Sequence, residues 1–166
     1  MTGATASRPD AAPGQGPFSV RIEVRIYELD GQGHVNSAVY HQYAEHARWC
    51  FLAAAGIDHA ALLGSGVGPV FLESTIRFRR ELGTGDQVDV TCELRDRGDG
   101  RTFAIPQRIQ LADGTLAAEL ESVCGLLDLQ RRKLVPDPLR RLASLAADPA
   151  GFLAATVANG GRDAPG

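Results

Sequence analysis

One long helical stretch constrains this chain more than any other feature. Between about Ala38 and Ala55 the apolar residues Val39, Tyr40, Tyr43, Ala47, Cys50, Phe51 and Ala54 recur at three- and four-residue spacing, which gives a helix one apolar face. Asn36 or Ser37 stands where a capping side chain accepts a hydrogen bond from the free amides of a helix start, and Gly56 stands where a left-handed residue closes its end. About 18 residues rising ~1.5 Å each reach about 27 Å, enough to cover the width of a sheet. Such a helix needs a broad apolar surface to lie on.

The rest of the chain supplies strands to build one. Phe18, Val20, Ile22, Val24 and Ile26 alternate with Ser19, Arg21, Glu23 and Arg25, as in a strand with one buried face. After the loop Asp30-Gly31-Gln32-Gly33, the helix and the glycine-rich run Gly64 to Pro69, the period of two returns four times. Leu72, Ile76 and Phe78 lead; Val88, Val90, Cys92 and Leu94 follow, then Phe103, Ile105, Ile109 and Leu111, and a last strand from about Thr115 to Leu129. Gly83-Thr84-Gly85-Asp86, Arg97-Gly98-Asp99-Gly100 and Ala112-Asp113-Gly114 are turn signals, so consecutive strands are expected to be antiparallel neighbours. Pro106 suggests an edge or a bulge in its strand. Short helical pieces are expected at about Asp58 to Leu63 and from Asp137-Pro138 through Ala147. The expected class is α+β, with one long central helix packed on a five-stranded, mostly antiparallel sheet.

A chain of 166 residues fits one domain, expected at 17–148. Residues 1–16 and 149–166 read as disordered tails, poor in hydrophobic period, although Phe152, Leu153 and Val157 offer weak docking groups. A net charge of −3 argues against a nucleic-acid partner held by phosphate neutralisation. No window approaches the roughly 20 apolar residues of a membrane span, and the N-terminal residues lack the basic start and apolar core of a secretory signal. Cys50, Cys92 and Cys124 are odd in number, far apart and set among apolar neighbours, as reduced thiols of a cytoplasmic protein are. His34, His41, His46 and His59 form no metal-ligand pattern, and neither a nucleophile elbow nor a phosphate-binding glycine loop is present.

The loop before the helix reads Asp30-Gly31-Gln32-Gly33-His34-Val35-Asn36, and the helix carries Tyr43-Ala44-Glu45-His46-Ala47-Arg48. A strand, a D-x-x-G-H-V-N loop, a long helix with Y-x-E-x-x-R and then further strands resembles the hotdog-fold thioesterases. The likeness is to the 4-hydroxybenzoyl-CoA thioesterase family and its acyl-CoA relatives, over about residues 18–135. The Gly-His-Val-Asn portion also resembles the plant-type acyl-ACP thioesterases. The resemblance implies a thioester hydrolase that releases a free acid and coenzyme A from an acyl- or aroyl-CoA. It needs no cofactor, since coenzyme A is part of the substrate.

Thioester hydrolysis needs a base or nucleophile at the carbonyl, and donors where its oxygen becomes negative. Asp30 matches the acidic residue that the family uses as nucleophile or general base and is the first candidate; the alternative is a turn residue that bonds the amides of its own loop. The resemblance gives the carbonyl-polarising role to the amide of Ser37 or a neighbour at the positive helix end, and a plain capping role for Asn36 and Ser37 is compatible with that. His34 matches the catalytic histidine of the acyl-ACP enzymes, or else positions Asp30. Those enzymes carry asparagine two residues earlier, where this chain has Gln32. Glu45 matches the helix glutamate that one hotdog branch uses and is a reserve carboxylate; with Arg48 three residues on, it also reads as a structural ion pair at a subunit seam. Arg77, Arg79 and Arg80 suit the phosphates of coenzyme A, or form a wet strand face.

One sheet on one helix leaves an outer face partly uncovered, with Leu126, Leu127 and Leu129 crowding the last strand. Hotdog proteins pair such sheets, so a homodimer or homotetramer is expected, with active sites at the seam. Two alternatives to an acyl-CoA thioesterase stand beside it. One is an acyl-carrier-protein thioesterase of fatty-acid or polyketide metabolism, and the other a non-catalytic acyl-binding module.

Overall fold

The computed structural model describes residues 18–156. The expected N-terminal tail, and the C-terminal one beyond residue 156 with Val157, lie outside the described residues. In chain order the elements are β1 (Phe18–Glu23), α1 (Ser37–Ala54), α2 (His59–Gly64), β2 (Val67–Phe78), β3 (Gln87–Cys92), β4 (Arg95–Asp96), β5 (Phe103–Leu111), β6 (Leu116–Asp128), β7 (Lys133–Leu134), α3 (Pro138–Ala143) and α4 (Pro149–Ala155). The five main strands run β1-β3-β5-β6-β2, every pair antiparallel, with the two-residue β4 and β7 paired to β5 and β6. Among the described residues no helix is long and apolar enough to cross a membrane.

The helix forms where its pattern says. Asn36 is the cap, its Oδ1 accepting the Ala38 amide at 2.9 Å, and Gly56 closes the far end at φ 80°. A side chain at Gly56 would also bring its Cβ within 2.8 Å of Ala147 Cβ, so glycine is required twice over. Val39, Tyr40, Tyr43, Ala44 and Ala47 are buried, and the two fully covered alanines let the backbone of α1 lie close on the sheet. The first half of α1 packs on Ile22, Val88, Val90, Ile109 and Leu120. Its second half meets a separate cluster in which α2, α3 and α4 close the core with Leu62, Leu139, Leu142 and Phe152.

Several expectations need correction. Short connections suggested that β2 and β3 are neighbours, but β2 crosses to the far edge and pairs with β6, while β3 pairs with β1 and β5. The linking segment is held across the sheet end: Val35 N–H donates to Leu82 O, and Val24 N–H to Asp86 O. The β1 alternation ends early, because Ile26 begins a 3-10 turn and is exposed. Strand β2 starts at Val67 inside the presumed loop, and a bulge at Leu72, between Phe71↔Cys124 and Glu73↔Val123, breaks its alternation. Leu72 and Phe78, expected inside, are exposed. Pro106 lies in an interior strand facing Glu121, and it is tolerated because the β3–β5 ladder stops at Val90↔Ile109.

At the C-terminal end α3 stops at Ala143, short of Ala147. The tail reading fails for Pro149–Ala155, which form α4: Asp148 Oδ1 accepts the Gly151 amide at 3.0 Å, and Phe152 is buried with its ring 6.0 Å from that of Phe51. A capped helix of about two turns with one aromatic anchor is too short for periodicity to reveal.

Candidate active site

The loop entering α1 is tied at its base by the Leu29↔Val35 bridge, with Asp30 N–H donating to His34 O at 2.8 Å. Gly33 turns the chain at φ 82°, its amide 3.1 Å from Asp30 O. Asp30 Oδ1 accepts the Gln32 amide at 2.8 Å and the His34 amide at 3.4 Å. The turn role of Asp30 is therefore present, and it occupies one carboxylate oxygen. The other, Oδ2, accepts no hydrogen bond among the described residues, and the side chain is exposed.

At the start of α1 the Ala38 amide is taken by Asn36 Oδ1 and the Val39 amide by Asn36 O. The Ser37 amide has no partner among the described residues, so one unspent donor remains at the positive end of an 18-residue helix. Asp30, His34, Asn36 and Ser37 line one cavity of about 400 Å³ together with Tyr40, Phe78, Arg79, Arg80 and Glu81. Burial pushes the Tyr40 phenol up, and its ring meets Phe78 edge-on at 5.0 Å. Of the three arginines, Arg77 stays outside this cavity. Arg79 is spent on Glu119 at 3.0 Å, and Arg80 makes no ion pair among the described residues.

Two acids escaped the sequence reading. Glu81 Oε2 lies 3.3 Å from His34 Nε2, so the imidazole is held from the β2–β3 connection, far away in the chain. Glu28, 8% exposed, accepts the Tyr43 hydroxyl at 2.6 Å and the Arg25 amide at 2.7 Å on Oε2, and the Arg25 guanidinium at 3.1 Å on Oε1. Burial works to raise the Glu28 carboxyl, but the bonds from Tyr43 and Arg25 outweigh it and hold it below its usual range. Because Glu28 O also accepts the Asn36 amide at 2.9 Å, this knot fixes the loop against α1. Its one sequence signal was the break it makes in the β1 alternation.

Glu45 and Arg48 are not brought to Asp30. They line a second, mostly apolar cavity of about 280 Å³ with Trp49, Phe51, Phe71, Leu94, Phe103 and Leu126. The expected Glu45–Arg48 ion pair does not form among the described residues: Arg48 donates to Gln107 Oε1 at 2.9 Å and lies over the Phe71 ring at 4.5 Å. Gln107 lies on the opposite layer, and its amide competes better because it is already fixed by bonds to Ala44 O and Thr91 O. Among the described residues no group of three or more His, Cys, Asp or Glu side chains is placed to hold a metal ion.

With this geometry in place, the family model described as thioesterase-like superfamily matches residues 24–149. The chain belongs to the thioesterase-like superfamily. Its fold is the hotdog fold of that superfamily. Two relatives within reach of sequence are an acyl-acyl carrier protein thioesterase, ATL3, of Arabidopsis thaliana and the long-chain acyl-CoA thioesterase FadM of Escherichia coli. The chain is 30% identical to ATL3 over 122 residues, which are 73% of this chain but 64% of ATL3, so it spans less than two thirds of that relative. It is 27% identical to FadM over 117 residues, 70% of this chain and 87% of FadM. Among solved structures, the probable thioesterase YbaW of Escherichia coli superposes with a TM-score of 0.67 at 26% identity, covering 78% of this chain and 98% of that one.

Proposed function

We propose that this protein hydrolyses acyl- or aroyl-CoA thioesters, with Asp30 as nucleophile or general base and the Ser37 amide polarising the carbonyl. One observation carries the reading: a carboxylate with an unspent oxygen and a helix-end amide with no partner line the same cavity. The amide is fixed by the helix before substrate arrives, so it stabilises a developing oxyanion without reorganisation. Asp30 is held by the turn through Oδ1, which leaves Oδ2 unspent. His34, braced by Glu81, orients the loop or assists proton transfer. Arg80 is the arginine of the basic run left to meet a phosphate.

The free edge of the sheet supports a homodimer. Among the described residues strand β2 has β6 on one side only, and Phe71, Leu72 and Phe78 are exposed along it beside both cavities. A long edge with apolar side chains pairs with another chain unless something covers it. Two β2 edges joined back to back would place each cavity at the seam, and a homotetramer is then a pair of such dimers.

An acyl-carrier-protein thioesterase is the second reading, favoured by the likeness to ATL3. Thiol release from matched acyl-CoA and acyl-carrier-protein substrates tests both. Asp30→Asn keeps an acceptor for the Gln32 amide, so the loop should hold while hydrolysis falls by about 10²–10⁴. A variant as fast as wild type overturns the assignment, and inertness of the wild type toward every thioester leaves only an acyl-binding module.

A further inference from the structure

The second cavity contains a cation that the hydrolytic reading does not use. Arg48 projects from α1 into a space walled by Phe51, Leu62, Leu94, Phe103 and Leu126. Arginine carries five N–H donors and does not lose its charge in proteins. Here one of them reaches Gln107 Oε1, and no carboxylate pairs with the group among the described residues. Gln107 itself is 1% exposed and spends its amide hydrogens on Ala44 O and Thr91 O, so it fixes the guanidinium in place. Phe71 covers one face of the cation. Burial pushes Arg48 down from its ordinary value. A positioned, partly desolvated fork with spare donors is costly unless an acceptor meets it.

The place of the cavity says what that acceptor belongs to. Its exposed members, Glu45 on α1 and Phe71 on β2, put its mouth in the α1–β2 crevice, and Ser37 with Phe78 puts the Asp30 cavity in the same crevice. Arg48 follows Ser37 by eleven helical positions, about 16 Å along the axis. At about 280 Å³ the space is at the small end of ligand pockets, which run to roughly 300–1,000 Å³.

We propose that Arg48 determines specificity: held by Gln107 in the apolar cavity between α1 and the sheet, it receives a hydrogen-bond-accepting oxygen that the acyl group carries away from its thioester end. The proposal rests on the thioester-hydrolase reading. The apolar walls take the hydrocarbon, and the fork selects for the oxygen. Glu45 at the mouth offsets the positive charge, so a hydroxyl or keto oxygen fits better than a carboxylate.

The test compares kcat/KM for pairs of medium-chain thioesters, plain and with a distal hydroxyl, keto or carboxyl group. Wild type should prefer the hydroxyl or keto member. Arg48→Met should lose that preference by about ten- to a hundred-fold, the value of a hydrogen bond to a charged group. Arg48→Lys should keep part of it, since the charge remains and the fork does not. A fall in rate on plain and oxygenated substrates alike, as when Arg48 merely braces the fold or a second copy, overturns the proposal. Binding of non-hydrolysable S-alkyl thioethers of N-acetylcysteamine, plain against ω-hydroxylated, separates this from the hydrolase reading. An Arg48-dependent preference without turnover of any thioester supports the subsite and rejects the hydrolase. Equal binding, or no binding of either thioether, rejects the subsite whatever the enzyme hydrolyses.

Discussion

Replacing Tyr43 by Phe isolates the knot that holds the Asp30 loop. The change removes the hydroxyl that donates to Glu28 Oε2 at 2.6 Å and leaves a buried carboxylate served by Arg25 alone. The phenyl ring still fills its place on α1, so no cavity contributes. A hydrogen bond to a buried charged group is worth about 1.5–3 kcal/mol. For a chain of this size each kcal/mol moves Tm by roughly 2–4 °C, so the variant should melt about 3–12 °C lower at neutral pH. Glu28 is held below its ordinary value in the folded protein. Its contribution is therefore complete above the unfolded carboxyl range near ~4.3 and is lost as pH falls through the folded value. Without Tyr43, burial raises the carboxyl, so the deficit of the variant should be largest at pH 7 and narrow on acidification below about pH 4.5. Urea unfolding at both pH values reads it, with Glu28→Gln and the double variant closing a cycle whose coupling should exceed about 0.5 kcal/mol. A Tyr43→Phe protein within about 0.5 kcal/mol of wild type at pH 7 would refute the reasoning. So would a deficit that ignores pH.

Gly56→Ala must place a side chain at φ 80° and within 2.8 Å of Ala147 Cβ, so unfolding should show a loss of about 2–4 kcal/mol; a neutral result would mean that the end of α1 moves freely. Burial pushes Cys92 and Cys124 up to about 12, and it also raises half-buried Cys50. A disulfide-exchange reagent at pH 8 should therefore find at most one thiol in the native protein and all three after unfolding, and fast reaction of three in the native state would contradict the packing. Leu72→Asp sets a charge on the exposed β2 edge, so light scattering should show the proposed dimer dissociating; a dimer of unchanged mass would place the subunit contact elsewhere.

The local pattern determined the long helix, its cap at Asn36 or Ser37, its stop at Gly56 and most of the strands that cover it, because amphipathic period and end chemistry act over a few residues. The Asp30–Ser37 stretch was legible for the same reason: a loop and the helix it feeds are neighbours in the chain, so their side chains meet wherever the rest of the protein goes. What escaped were partners joined only by the fold. Glu81 reaches His34 because the segment after β2 crosses the sheet end, and Glu28 meets Tyr43 because a 3-10 turn ends β1 early. Arg48 offers the clearest contrast. Spacing assigned it to Glu45 on the same helix, but Gln107 on β5 takes it instead. A pairing along one helix competes with every group that the opposite layer presents, and that layer is assembled only when strands distant in sequence come into register. The sequence by itself determined which elements form and which loop enters α1; the tertiary structure decided what each charged side chain faces, since burial and register are properties of the assembled layers.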